Sequence, residues 1–198
     1  MASNAEETDG IPPMARITPI AVAEALPQAR AELEHQIAAH GRVTNMKCTL
    51  ARSPAALAAL MQWYALADTV LPILGQRLTT LFSHAISSET DCLICSTFFR
   101  RWLTEQGEDP DALDLDPREQ AVVEYGRQLA RDAHGVSDAL FARLSGWLGP
   151  DEMVALTAFG GMMIATNVFN NALGVDLDDY LQPFRKPAGE LDRGANRR

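Results

Sequence analysis

Two cysteines three residues apart, Cys92-Leu93-Ile94-Cys95, have the types and spacing for redox chemistry. On a helix, that offset puts both sulfurs on one face, near enough to join as a strained, reducible disulfide. The turn Ser87-Ser88-Glu89-Thr90-Asp91 precedes them, so the pair falls at a helix start. The partial positive charge of a helix N-terminus favours thiolate there. Such a pair can attack an oxidant with one sulfur and close a disulfide with the other. A plainer reading also fits: followed by Thr97, Phe98, Phe99, Trp102 and Leu103, the cysteines can be small core hydrophobes. A zinc site drawing on His84 or Cys48 lacks a second ligand pair at recognisable spacing.

The elements that must position the pair read as helices throughout. No five-residue alternating run rich in Val, Ile and Thr supports a sheet, and alanine is frequent. A first helix is expected over 21–39, stopped by Gly41, then an irregular stretch over 42–50 containing Cys48. Ser53-Pro54 gives an N-cap followed by proline at the first helical position. That helix breaks at Pro72 and Gly75, and the next covers 75–86. The pair opens a helix over 92–106. An acidic loop follows, with no calcium-loop spacing. Asp116-Pro117-Arg118-Glu119 reads as a capping box. Ser137 caps a shorter helix, and a long one over 151–173 ends at Gly174. On that last helix, Asn167, Asn170 and Asn171 can line a pocket, bridge subunits or cap the helix end. Gly160-Gly161 permits close helix approach. The expectation is one all-α domain of six to eight helices over 16–182, with a disordered segment 1–15 and a loose basic tail 183–198.

Charge narrows the partners. The 198 residues carry a net charge of −9 from 17 basic and 26 acidic side chains. The tail 183–198 holds 5 basic and 2 acidic residues, leaving 12 basic against 24 acidic before it. Such a body repels phosphate backbones and anionic lipid, so neither nucleic acid nor membrane is expected as a partner. The apolar stretch 153–168 is interrupted by Gly160, Gly161, Thr166 and Asn167, and the acidic start does not read as a secretory signal. With 3 cysteines, an odd number, a cytoplasmic protein with reduced thiols is expected.

The Cys-x-x-Cys at a helix start, followed by Leu115-Asp116-Pro117-Arg118-Glu119 opening a new helix, resembles the carboxymuconolactone decarboxylase superfamily, in its alkylhydroperoxidase AhpD-like branch. Val136-Ser137-Asp138, Glu152-Met153-Val154-Ala155-Leu156-Thr157 and the segment 167–175 extend the likeness to roughly 42–180. The resemblance implies an AhpD-like helical bundle that forms a homo-oligomer, with the cysteine pair at the base of a pocket. It implies a peroxidase in which Cys95 attacks and Cys92 resolves, without metal or organic cofactor. Its partners would be a peroxide or small organic substrate and a dithiol reductant, either a lipoyl-bearing or a thioredoxin-like protein.

The chain departs from that family's proton relay twice. Thr80 stands where the relay has glutamate, and Phe99 where it has histidine. Neither can serve as a base near neutral pH. His84, with an ordinary pKa near 6.5, is a candidate substitute base, and Glu89 a candidate to orient it or act itself. The alternatives to a thiol peroxidase are a lactone decarboxylase-like enzyme in the same pocket, or an oligomeric small-molecule binder that has lost the relay.

Overall fold

The computed structural model describes residues 15–186, so the expected loose segments lie outside it except for Ala15 and 183–186, of which Pro183 and Phe184 belong to a 3-10 turn. The described residues form eight α-helices and no strand: α1 (Pro27–His40), α2 (Asn45–Leu50), α3 (Pro54–Met61), α4 (Trp63–Glu89), α5 (Leu93–Glu105), α6 (Pro117–Asp132), α7 (Asp138–Ser145) and α8 (Pro150–Leu173). Three 3-10 turns lie at Val22–Glu24, Ala133–Gly135 and Asp179–Phe184.

Local chemistry sets most boundaries. Ser53 accepts from the Ala56 N–H, Ser137 from the Leu140 N–H, and Asp116 and Glu119 form a full capping box. Gly174 closes α8 in the left-handed region at φ 56°. Three boundaries differ from expectation. Pro27 is the first residue of α1, where its missing N–H goes unneeded, so the chain before it makes only a 3-10 turn. The stretch expected to be irregular contains α2, because the Thr44 hydroxyl caps it through the Lys47 N–H. Pro72 does not end its helix; α4 continues to Gly75, whose φ of 75° supplies the bend, and then resumes.

After the bend, α4 runs through the core against α5, α6 and α8. Phe82 is fully buried there, stacked with Tyr125 and Phe159 at ring-centroid separations of 6.3 and 6.1 Å. Two glycines let α6 and α8 close on it. A Cβ on Gly160 would stand 2.9 Å from Leu129 Cδ1 and 3.0 Å from Phe82 Cζ; one on Gly126 would stand 3.0 Å from Phe82 Cδ2. A Cβ on Gly161 would meet nothing within 4 Å. Gly160→Ala is therefore expected to lower unfolding free energy by about 1–3 kcal/mol through overpacking. Gly161→Ala should be neutral or stabilising, by up to about 1 kcal/mol. Denaturant melts of the two variants check the contrast.

Helices α1–α3 hold a second apolar cluster around Leu33, Leu50 and Leu57, and Met46 and Phe169 pack against both clusters. Contrary to the reading of 153–168, two helical runs are long and apolar enough to cross a membrane by length and composition, Pro54–Glu89 and Pro150–Leu173. In this fold α4 and α8 pack against each other.

Candidate functional site

The cysteine pair is held by the short turn between α4 and α5. Thr90 ends α4, and Asp91 takes the left-handed region at φ 51°, which Asp tolerates better than most residues. The Cys92 N–H then donates to Ser87 O at 2.9 Å, leaving Cys92 as the N-cap of α5. Three amides from α8 clamp this turn. Asn167 Nδ2 donates to Thr90 Oγ1 (2.9 Å), and Asn171 Nδ2 to Thr90 O (2.7 Å). Between them, Asn170 Nδ2 reaches Cys95 Sγ at 3.4 Å and Cys92 Sγ at 3.8 Å. All three asparagines thus serve the cysteine turn.

The two sulfurs have unlike surroundings. Cys92 is fully buried, whereas Cys95 is 8% exposed and lines a cavity of about 560 Å³. A hydrogen bond from the Cys95 thiol lowers the Cys92 pKa, and the Cys95 and Ile94 backbone N–H groups and Asn170 add to the effect against burial. That bond to Cys92, with burial behind it, drives Cys95 well above the ordinary thiol range. As a pair, the thiols release one proton readily and hold the second, which lies between the sulfurs.

The cavity lies where α1–α3 meet the core. Its lining brings Cys95, Ile94, Phe98, Phe99 and Trp102 from α5 together with Trp63, Tyr64, Thr79, Thr80 and Ser83 from α4. Thr80 and Phe99, the two departures from the relay, both face this space. Neither expected substitute does. His84 is partly buried away from the cavity, and burial, with Arg100 and Arg127 adding to it, pushes it down to about 4. Glu89 accepts from Arg131 Nε at 2.8 Å and is likewise outside the lining. Neither side chain belongs to the lining of the cavity that Cys95 opens on, so the expectation that they replace the relay stands on their closeness to the cysteines along the chain.

His84 instead carries a pH signature of stability. Its folded pKa lies below its unfolded value near 6.5, so the neutral form favours folding. Its contribution is complete above about pH 6.5 and is lost as pH falls toward about 4. His84→Gln should flatten that part of the thermal stability–pH curve.

Sequence reading missed Lys47, Gln36 and Tyr64. Lys47 is 6% exposed; its Nζ donates to Gln36 Oε1 at 2.5 Å and Tyr64 Oη at 2.8 Å. His40 stacks on Tyr64 with centroids 5.2 Å apart. Among the described residues, no three His, Cys, Asp or Glu side chains cluster to hold a metal ion.

Neither a sequence-family model nor a curated protein sequence matches the chain significantly. Solved structures do resemble it. The alkylhydroperoxidase AhpD core of an uncharacterized peroxidase-related protein from Ralstonia eutropha JMP134 superposes with a TM-score of 0.71 at 20% identity, covering 89% of this chain and 100% of that one. An uncharacterized peroxidase-related protein from Silicibacter sp. TM1040 gives 0.68 at 16% identity, over 89% and 100%. The debrominase Bmp8 gives 0.69 at 16% identity, over 85% and 95%. The chain therefore has an AhpD-like all-helical fold. Within that fold, the neighbours' names span peroxidase-related proteins and a debrominase.

Proposed function

We propose that this chain is a thiol-dependent oxidoreductase that reduces a hydroperoxide with Cys95 and Cys92. The observation that carries the reading is the arrangement of the sulfurs: Cys95 opens on the cavity, Cys92 lies buried behind it, and Asn170 reaches both. The pair can supply its own proton movement where the relay residues are missing. The shared proton shifts to Cys92, and Cys95 thiolate attacks the terminal peroxide oxygen. The O–O bond breaks, giving a sulfenic acid on Cys95 and an alkoxide, which takes the Cys92 proton. Cys92 thiolate then attacks the sulfenic sulfur and expels hydroxide, leaving the disulfide. A dithiol, carried by a lipoyl or thioredoxin-like protein, restores both thiols and is itself oxidised.

The test is hydroperoxide-dependent oxidation of dihydrolipoamide, with cumene hydroperoxide as oxidant. Saturable turnover is expected; consumption no faster than without protein overturns the proposal. A second reading is favoured by the aromatic lining and by the fold's likeness to a debrominase, a cysteine-to-alanine variant of which is known in complex with 2,3,4-tribromopyrrole. In it, the same thiols would supply two electrons to a halogenated aromatic ring, releasing halide and forming the disulfide. Halide release from a brominated pyrrole, without hydroperoxide turnover, would select it.

A further inference from the structure

We infer that the cavity takes a substrate with a carboxylate head on an apolar body, Lys47 holding the head while Cys95 reacts further along the same wall. This deepens the reading above, because it takes the cavity of Cys95 as the substrate site. Lys47 carries the inference. Lys47 belongs to the cavity lining and is almost wholly buried, yet both acceptors of its ammonium, Gln36 Oε1 and Tyr64 Oη, are neutral. Among the described residues, no carboxylate comes within ion-pairing distance of it. Glu32, which accepts from Gln36 Nε2 at 2.8 Å, and Asp178 act on the ammonium only across a longer distance. A buried ammonium with no direct ion pair is unfavourable, and a ligand anion in contact with it relieves that cost. Of the three ammonium donors, two are committed to those acceptors and one remains.

The surroundings select the charge and shape of the ligand. Arg42 and Arg101 also line the cavity, their guanidinium carbons 4.3 and 5.2 Å from the Tyr180 ring centroid. Arg101 is paired with Glu105, and Arg42 makes no ion pair among the described residues. Three cations thus stand in one wall of a chain whose net charge is −9. Asp68 and Asp178 share the lining. Asp178 accepts the Asn45 N–H through Oδ1 at 2.8 Å, while its Oδ2 is buried without a partner. Those two carboxylates oppose a second negative charge, which favours a monoanionic carboxylate over a phosphate. Trp63, Phe98, Phe99, Trp102 and Met163 offer the apolar surface for the rest of the ligand.

Trp63 and Trp102 report on occupancy through their fluorescence. With reduced protein and no peroxide, decanoate is expected to quench it at least about tenfold more tightly than decanol, as a charge-assisted hydrogen bond implies. Lys47→Met should erase that preference and leave decanol binding unchanged. Decanol binding as tightly as decanoate, or no quenching by decanoate, overturns the inference. The comparison of ligands on the unmodified protein decides the matter even if the variant fails to fold. Carboxylate preference without hydroperoxide turnover refutes the peroxidase reading and leaves the head-group site standing; turnover without the preference does the reverse.

Discussion

Cys95→Ser is expected to lower hydroperoxide turnover by about a thousandfold or more, as removal of a nucleophile does elsewhere. The remaining thiol, Cys92, is fully buried and outside the cavity lining. Its lowered pKa alone does not make it reactive, because a thiolate must also meet its oxidant. Cys92→Ser should behave differently. Cys95 can still attack, so the variant consumes about one equivalent of peroxide and stops at a sulfenic acid, which dimedone traps. The two variants thus separate the attacking from the resolving role. Trapping on Cys92 in the Cys95→Ser protein, at the rate of the unmodified enzyme, would reverse the assignment.

Asn170→Leu is expected to raise the first pKa of the thiol pair by about 1–2 units, the equivalent of a lost charge-assisted hydrogen bond. Its amide is the side-chain donor from α8 to both sulfurs, at 3.4 and 3.8 Å. With less thiolate at neutral pH, turnover should fall by about tenfold or more and recover as pH rises toward the new pKa. Asn170→Asp should raise that pKa further, because a carboxylate repels thiolate. Stability should suffer less than activity in the leucine variant: Asn170 Oδ1 is buried without a partner, so the substitution also removes an unsatisfied acceptor. Thiolate absorbance against pH reads the shift directly. An unchanged titration in both variants would show that Asn170 only packs.

The helical class was legible because capping chemistry is local. Ser53, Asp116, Ser137 and Gly174 each announce a boundary through their own neighbours, and each stands where expected. Of the two residues expected to break α4, Gly75 makes the bend and Pro72 is carried inside the helix. The cysteine pair was legible for the same reason: its spacing and its place after a turn are sequence properties. What surrounds it was not. Asn170 lies 75 residues from Cys95, and the three α8 amides could equally have capped their own helix. Lys47 and Tyr64 are 17 residues apart on different helices, and nothing in either segment shows that they meet. His84 shows the converse, because it is near the cysteines along the chain yet does not line the cavity that Cys95 does.

A single oxidative titration tests the reading at its root. Reduced protein is mixed with one equivalent of cumene hydroperoxide, digested, and its cysteine-containing peptides are identified by mass. Joining of Cys92 to Cys95, with Cys48 still free and the link reversed by dihydrolipoamide, is the expected outcome. Cys92 and Cys95 both recovered as free thiols, with the peroxide unconsumed, would contradict it.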